Sequence, residues 1–493
     1  MVLSKRRWRL CNKDQYCHHG ITAIAIVLMA IVITPTILQS TIATSTTNLP
    51  PANITHADSN SEYNNSFTLV PSNQSSTLLD KTNVTLRGLF TDLANPGRWN
   101  QLLQPALDEL NRRHPDMSIQ LEYTDFPYNV TRNQILNRLS NGDPIDIVSV
   151  DQIWLGEFAG KGLLKNLTGE FEQWGRMSDL YEANLDGCVY NNTLYGLWLW
   201  TDVRGMWYWK DMLQEAGIDP EPLKTWDGYI SAAAQLDEFF GDRVTEGVHL
   251  RNAPHEPDMW YPYLWMLGGE ILELREGHPT KGVYWFPSYN SSEGVRAMEF
   301  LKRQVDAGVE PQERQLEKAF TNRNFSVILA GSWVPGEFPK ESWSTLEQEL
   351  GFIPMFPVPN QTIQTSTMMG GWELSIPSTS ENSDLSWELI TIMAEPDILT
   401  PFLQEYGYLP TQKMIGAAAQ LSEQLNESVP YFEEMVSMIP YGRSRPSIPE
   451  YPEIAEHVTQ AIQQVYNGSA LPKDALNIAA DRSADSLGWN IKQ

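Results

Sequence analysis

The sequence is poor in cysteine and in positive charge, and it lacks the short signatures of most hydrolases and nucleotide-dependent enzymes. Its 493 residues include 3 Cys, at positions 11, 17 and 188. Cys11 and Cys17 fall in a basic leader beside His18 and His19, at a spacing that fits no zinc pattern well. Cys188 then has no partner in the rest of the chain, so no structural disulfide is expected. Lys and Arg number 35 against 61 Asp and Glu, a formal charge of −26. Lys5, Arg6, Arg7, Arg9 and Lys13 gather positive charge at the N-terminus, which leaves the remainder more acidic still. Such a surface repels phosphate backbones, and this argues against nucleic acid as a partner. There is no H-E-x-x-H, no G-x-S-x-G, no P-loop and no G-x-G-x-x-G, and the eight His show no ligand spacing. No metal or cofactor is called for. Carboxylates are so numerous that some pair would always serve for glycoside hydrolysis, so their abundance alone argues for nothing.

Long apolar runs are absent but for one, residues 21–38, which lies behind the basic residues 1–20. Positive charge on that side holds the leader in the cytoplasm and places the chain beyond the run outside. No Cys succeeds the run, which excludes a lipoprotein anchor. Three processing routes remain: retention as a membrane anchor, which is the reading adopted, cleavage of a signal peptide near Ala43, or pilin-like cleavage ahead of Gly20-Ile21-Thr22. Residues 39–83 are rich in Ser, Thr, Asn and Pro and read as a disordered stalk. Twelve N-x-[ST] triplets occur in the chain, where about four would arise by chance. Asn53, Asn64, Asn73 and Asn83 cluster in the stalk as candidate glycosylation sites.

What is present in excess is aromatic: 17 Trp and 19 Tyr. Large rings fill cores, and they also bind the C–H faces of sugars. From residue 84 strand and helix patterns alternate, with strands at 84–90, 118–126 and 145–150 and helices at 99–113, 132–139 and 153–160. That order predicts an open α/β sheet, with ligands beyond the carboxyl ends of its strands. Tyr195-Gly196 opens a strand-like stretch in which Trp198, Trp200 and Asp202 share one face. A carboxylate beside indoles suits a sugar: rings stack on apolar faces and hydroxyls donate to the acid. Trp154 reads as helix packing, and Asp227 as the N-cap of a helix starting near Tyr229.

Ile145-Asp-Ile-Val-Ser-Val-Asp151-Gln-Ile-Trp154, Tyr195-Gly-Leu-Trp-Leu-Trp-Thr-Asp202, Lys224-Thr-Trp-Asp227, Gly331-Ser-Trp333, Gly370-Gly-Trp372 and Tyr408-Leu-Pro410-Thr411 occur in that order. Together they resemble the family 1 extracellular solute-binding proteins over roughly residues 84–490, in a maltose/trehalose-type branch. The resemblance implies a two-lobe α/β fold of the periplasmic-binding-protein type (type II), with ligand held between lobes joined by crossover strands. One lobe would hold 84–200 and 332–372, the other 203–330 and 376–493. Crossings are expected near 200–203, 331–333 and 372–375. The implied ligand residues are Asp151, Trp200, Asp202, Trp260, Trp333 and Trp372, with Arg132 and Arg98 reaching toward the cleft. Gln412 stands where close carbohydrate binders have Arg. The implied function is capture of a mono- or oligosaccharide by hinge closure and delivery to the permease subunits of an ABC importer, without turnover. The chain would act as a monomer tethered to the cell surface. A sensor or adhesin ectodomain and a surface glycosidase are the other readings of the same features.

Overall fold

The computed structural model describes residues 65–72, 81–91, 97–241, 245–249, 256–312, 316–354, 358, 365–417 and 428–490, all within the unit Asn53–Gln493. The basic leader, the apolar run and Asn53, Asn64 and Asn73 lie outside the described residues. Among the described residues no helix is long and apolar enough to cross a membrane.

The first sheet is assembled from β1 (Asn65–Leu69), β2 (Thr82–Thr91), β3 (Met117–Phe126), β4 (Ile147–Asp151), β5 (Gly196–Trp198) and β11 (Trp372–Ser375), in the order β1-β3-β2-β4-β11-β5. β3, β2 and β4 run parallel, as helical crossovers through α1 (Asn100–Arg113) and α2 (Tyr128–Ser140) require. α1 buries Leu102, Leu103, Ala106, Leu107 and Leu110, a stripe at helical spacing, and ends on Arg112 and Arg113, which favour the negative end of its dipole. β4 is buried along its whole length, in keeping with its uninterrupted apolar pattern. α3 (Gln152–Gly160) comes directly after it, capped by Asp151.

The stalk expected over 39–83 is overturned at residues 65–69 and 82–83. Asn65–Leu69 pairs antiparallel with β3, Phe67 stacks on Tyr123 at 4.9 Å, and Leu69 is buried. A sheet edge offers a row of unpaired backbone groups to any short alternating segment, and polar composition on either side hides that segment. Asn83 is exposed in β2, paired opposite Ser118.

The second sheet holds β6 (Arg204–Trp209), β7 (Thr245–His249), β8 (Glu310–Gln312), β9 (Phe325–Gly331) and β10 (Leu350–Ile353), in the order β8-β7-β9-β6-β10. α5 (Trp226–Phe240) is capped by Thr225, whose side chain accepts from Gly228 N at 3.2 Å, rather than by Asp227, which pairs with Arg303. α5, α6 (Ser292–Asp306), α9 (Tyr451–Tyr466) and α10 (Pro472–Ser486) pack together around this sheet.

The first crossing falls where it was expected, between β5 and β6. The second does not. After β9 the chain makes short helical turns and returns to the same sheet as β10, paired with β6, so Leu350–Ile353 belongs to the second lobe rather than the first. The return to the first sheet is β11. α7 (Ser383–Met393) and α8 (Pro396–Tyr406) then pack on α1, so this part of 376–493 sits on the first lobe. Local hydrophobic pattern places strands but not their partners, and partners decide the lobe.

Candidate ligand-binding site

The crossover strands bring the two expected carboxylates to either side of one segment. Trp372 is register partner to Asp151, and Asp202 bridges to Gly370. Neighbouring strands lie about 5 Å apart, which sets the backbones of Asp151 and Asp202 on the order of 10 Å apart with Gly370–Trp372 between them. The glycines are required here. Gly371 has φ 140°, and a Cβ on Gly370 would stand 2.8 Å from Asp202 Oδ2.

Asp151 accepts from the Tyr128 hydroxyl at 3.1 Å and stands 3.6 Å from the Arg445 guanidinium. Arg445 also donates to both oxygens of Asp258 at 3.1 Å. All three charged groups are buried, so one cation shares two anions in a dry setting. Burial works to lower the Arg445 pKa, but Asp258 and Asp151 outweigh it and hold the guanidinium charged. Burial, and after it Asp151, push the Tyr128 phenol well up, which keeps it a donor. Tyr128, Trp154 and Trp372 meet as an aromatic corner, with Tyr128 and Trp154 stacked at 5.5 Å and Trp372 edge-on to Trp154 at 5.7 Å. Trp154, expected as packing, is buried in that corner, while Trp372 is partly exposed.

On the other side Asp202 is ion-paired with Arg204, whose guanidinium lies 4.5 Å over the Trp333 ring. Trp333 is partly exposed and donates through Nε1 to Glu317 at 3.2 Å. Arg98 lies over Tyr406 at 4.2 Å and reaches the Tyr408 hydroxyl at 3.4 Å. Glu337 completes the group. Burial, then Glu317, raise its pKa, and Arg98 opposes them.

Three expected residues stand elsewhere. Trp200 is 2% exposed, stacked on Tyr408 at 5.5 Å and packed against Trp99 and Phe402, so its faces meet protein. The strand breaks at Leu199, so Trp198 and Trp200 pair with different partners and the single alternating face is lost. Trp260 is 1% exposed beside Tyr261 and Tyr289, a core residue. Arg132 pairs with Glu157, tying α2 to α3. In each case the apolar or charged group is met by protein partners, which sequence spacing does not reveal.

The model for bacterial extracellular solute-binding proteins matches residues 106–426 of this chain. The chain belongs to this family. A putative binding protein of Brucella abortus is 24% identical over 75% of this chain and 86% of its own. The mannitol-binding protein of Pseudomonas aeruginosa is 24% identical over 55% of this chain and 61% of its own. The crystal structure of an ABC transporter solute-binding protein from Thermotoga lettingae, bound with α-D-tagatose, superposes with a TM-score of 0.68 at 22% identity. It covers 83% of this chain and 100% of that one. The two-lobe α/β architecture is thus that of known solute-binding proteins.

Within this solute-binding protein, sequence reasoning missed Tyr128, Arg204, Asp258, Glu317 and Arg445. Tyr128 lies just past the carboxyl end of β3, where the strand-end rule points. Arg204 lies two residues beyond Asp202. Asp258 and Arg445 sit in irregular segments with no periodic signal, and only the fold joins them to Asp151.

Proposed function

We propose that this solute-binding protein captures a carbohydrate or polyol outside the cell by closure of its two lobes and hands it to an ABC importer. The observation that carries this reading is the pair Asp151 and Asp202. These hydroxyl acceptors come from different strand ends and flank Gly370–Trp372, with the partly exposed Trp372 and Trp333 beside them. A ligand with many hydroxyls and apolar C–H faces suits carboxylate acceptors next to indoles. The mannitol-binding relative and the tagatose-bound structural neighbour support the same chemistry. The ligand class proposed is a mono- or oligosaccharide of the maltose/trehalose type, or a polyol. The protein acts by binding alone, as a monomer tethered through residues 21–38.

A thermal-shift screen of polyols, monosaccharides and disaccharides against peptides tests the reading. A ligand at 100 times its dissociation constant stabilises by about 2.7 kcal/mol. Stabilisation by a peptide and by no carbohydrate or polyol would overturn it, as would hydrolysis of a bound oligosaccharide.

A further inference from the structure

Beneath the crossover strand lies a second polar cluster that the ligand site does not use. Glu373 and Ser375 share the face of β11 opposite Trp372 and Leu374, and both are fully buried. Ser375 is register partner to Gly196 on β5, and a Cβ there would stand 2.9 Å from both Glu373 Oε2 and Ser375 Oγ. The two polar ends therefore meet over a position without a side chain. α4 (Glu182–Gly187) packs on β5, with Gly187 against the Trp198 ring. Asn184 and Cys188 lie one helical turn apart on the same face, both buried, and Cys188 Sγ donates to Asn184 O at 3.3 Å. The Cys188 thiol and the Glu373 carboxyl act on each other electrostatically.

Both Glu373 oxygens, Ser375 Oγ, both amide atoms of Asn184 and the Trp198 indole N–H are buried without a protein hydrogen-bond partner. The cluster mixes donors and acceptors. A cation would take its oxygens and leave the indole and amide N–H groups unmet, whereas water both donates and accepts, commonly with two to four polar partners. The charged groups acting on Glu373 are Asp151, which disfavours a second negative charge, and Arg445, which opposes Asp151. Burial, then Asp151, push its carboxyl well above the ordinary range, and burial does the same to the Cys188 thiol.

We propose that Glu373, Ser375, Asn184 and Trp198 frame a closed internal site for ordered water. The water joins β11 to α4 behind Trp372. It supports the strand that presents the ligand site and does not depend on what the ligand is.

The intact chain with ¹⁵N-labelled Trp tests this through nuclear Overhauser contacts between water and the Trp198 indole proton, assigned with Trp198→Phe. A long-lived water contact is expected in the wild type and in Glu373→Gln, whose amide also donates and accepts. A Trp198 indole with no water contact would overturn the proposal. Melting in sodium, potassium and choline chloride at equal ionic strength is expected to coincide, and a sodium-specific rise would mean a cation fills the site. Glu373→Gln is expected to fold at least as well as wild type at pH 7. A tenfold or greater loss in its folding equilibrium would mean that a neutral donor and acceptor does not satisfy the site, and the proposal would fall.

Discussion

Replacing Asp202 by Asn tests the site where sequence and structure give different answers. As a free acceptor at a ligand cleft, Asp202 would be dispensable for the unliganded fold, and the sequence alone implies little change in melting. In the structure its carboxylate is paired with Arg204, whose side chain is 5% exposed, while Asp202 itself is 17% exposed. Removing one partner of a buried pair costs about 3–5 kcal/mol, because the remaining charge is left without compensation. The residual exposure of Asp202 and the aromatic face of Trp333 over Arg204 soften this to roughly 2–3 kcal/mol. At about 2–4 °C per kcal/mol for a lobe-sized domain, unliganded Asp202→Asn should melt roughly 5–10 °C lower. Ligand affinity should also fall about tenfold or more, since a charged acceptor to a hydroxyl is worth about 1.5–3 kcal/mol. Scanning calorimetry without ligand and titration calorimetry with it separate the two effects. Asp202→Asn with Arg204→Met should regain much of the melting loss but none of the affinity. A single mutant melting within about 1 °C of wild type would refute the ion-pair argument.

Glu373 makes stability depend on pH in a defined direction. Its folded-state pKa is raised, so above about pH 4.5 the folded chain holds a proton that the unfolded chain has lost, and stability falls as pH rises by up to about 1.4 kcal/mol per unit. The stability advantage of Glu373→Gln should therefore grow from pH 5 to pH 8 in urea titrations, and a flat difference would contradict the assignment. Trp333→Ala should weaken sugar binding more than tenfold by titration calorimetry, on the analogy of about 1–3 kcal/mol for aromatic stacking on a base. A folded mutant within threefold of wild type would make Trp333 a packing residue. A chain beginning at residue 81 should melt lower than one beginning ahead of Asn65, because it lacks the edge strand with Phe67 and Leu69. Equal melting would mean that strand contributes nothing.

Much of the fold was legible from residue order. The strands at 84–90 and 118–126 and the helix at 99–113 appear within two residues of their expected bounds, because apolar periodicity is a local signal that packing reinforces. The ordered motifs ending in Gly331-Ser-Trp333 and Gly370-Gly-Trp372 pointed to the family, and the family to two lobes. Asp151, Asp202, Trp333 and Trp372 could be named as candidates because each closes or succeeds a strand at a crossover. Asn65–Leu69 was not, since five residues within a polar tract carry too little pattern to stand out. Trp200 and Trp260 are buried against neighbouring rings, and an indole reads the same in sequence whether its faces meet a sugar or such a ring.

What the sequence determined by itself is therefore local and compositional: acidic charge away from the leader, the alternation of strand and helix, and the glycines that let Gly370–Trp372 pass close to Asp202. Tertiary structure alone decided the partners. It put Leu350–Ile353 beside β6, joined Arg445 to both Asp151 and Asp258, tied Asp202 to Arg204, and buried Glu373. The separations run from two positions, Asp202 to Arg204, to nearly three hundred, Asp151 to Arg445. A charge's nearest neighbour in space depends on packing that no single segment encodes, and so does its hydration, which sets both its pKa and its energetic worth.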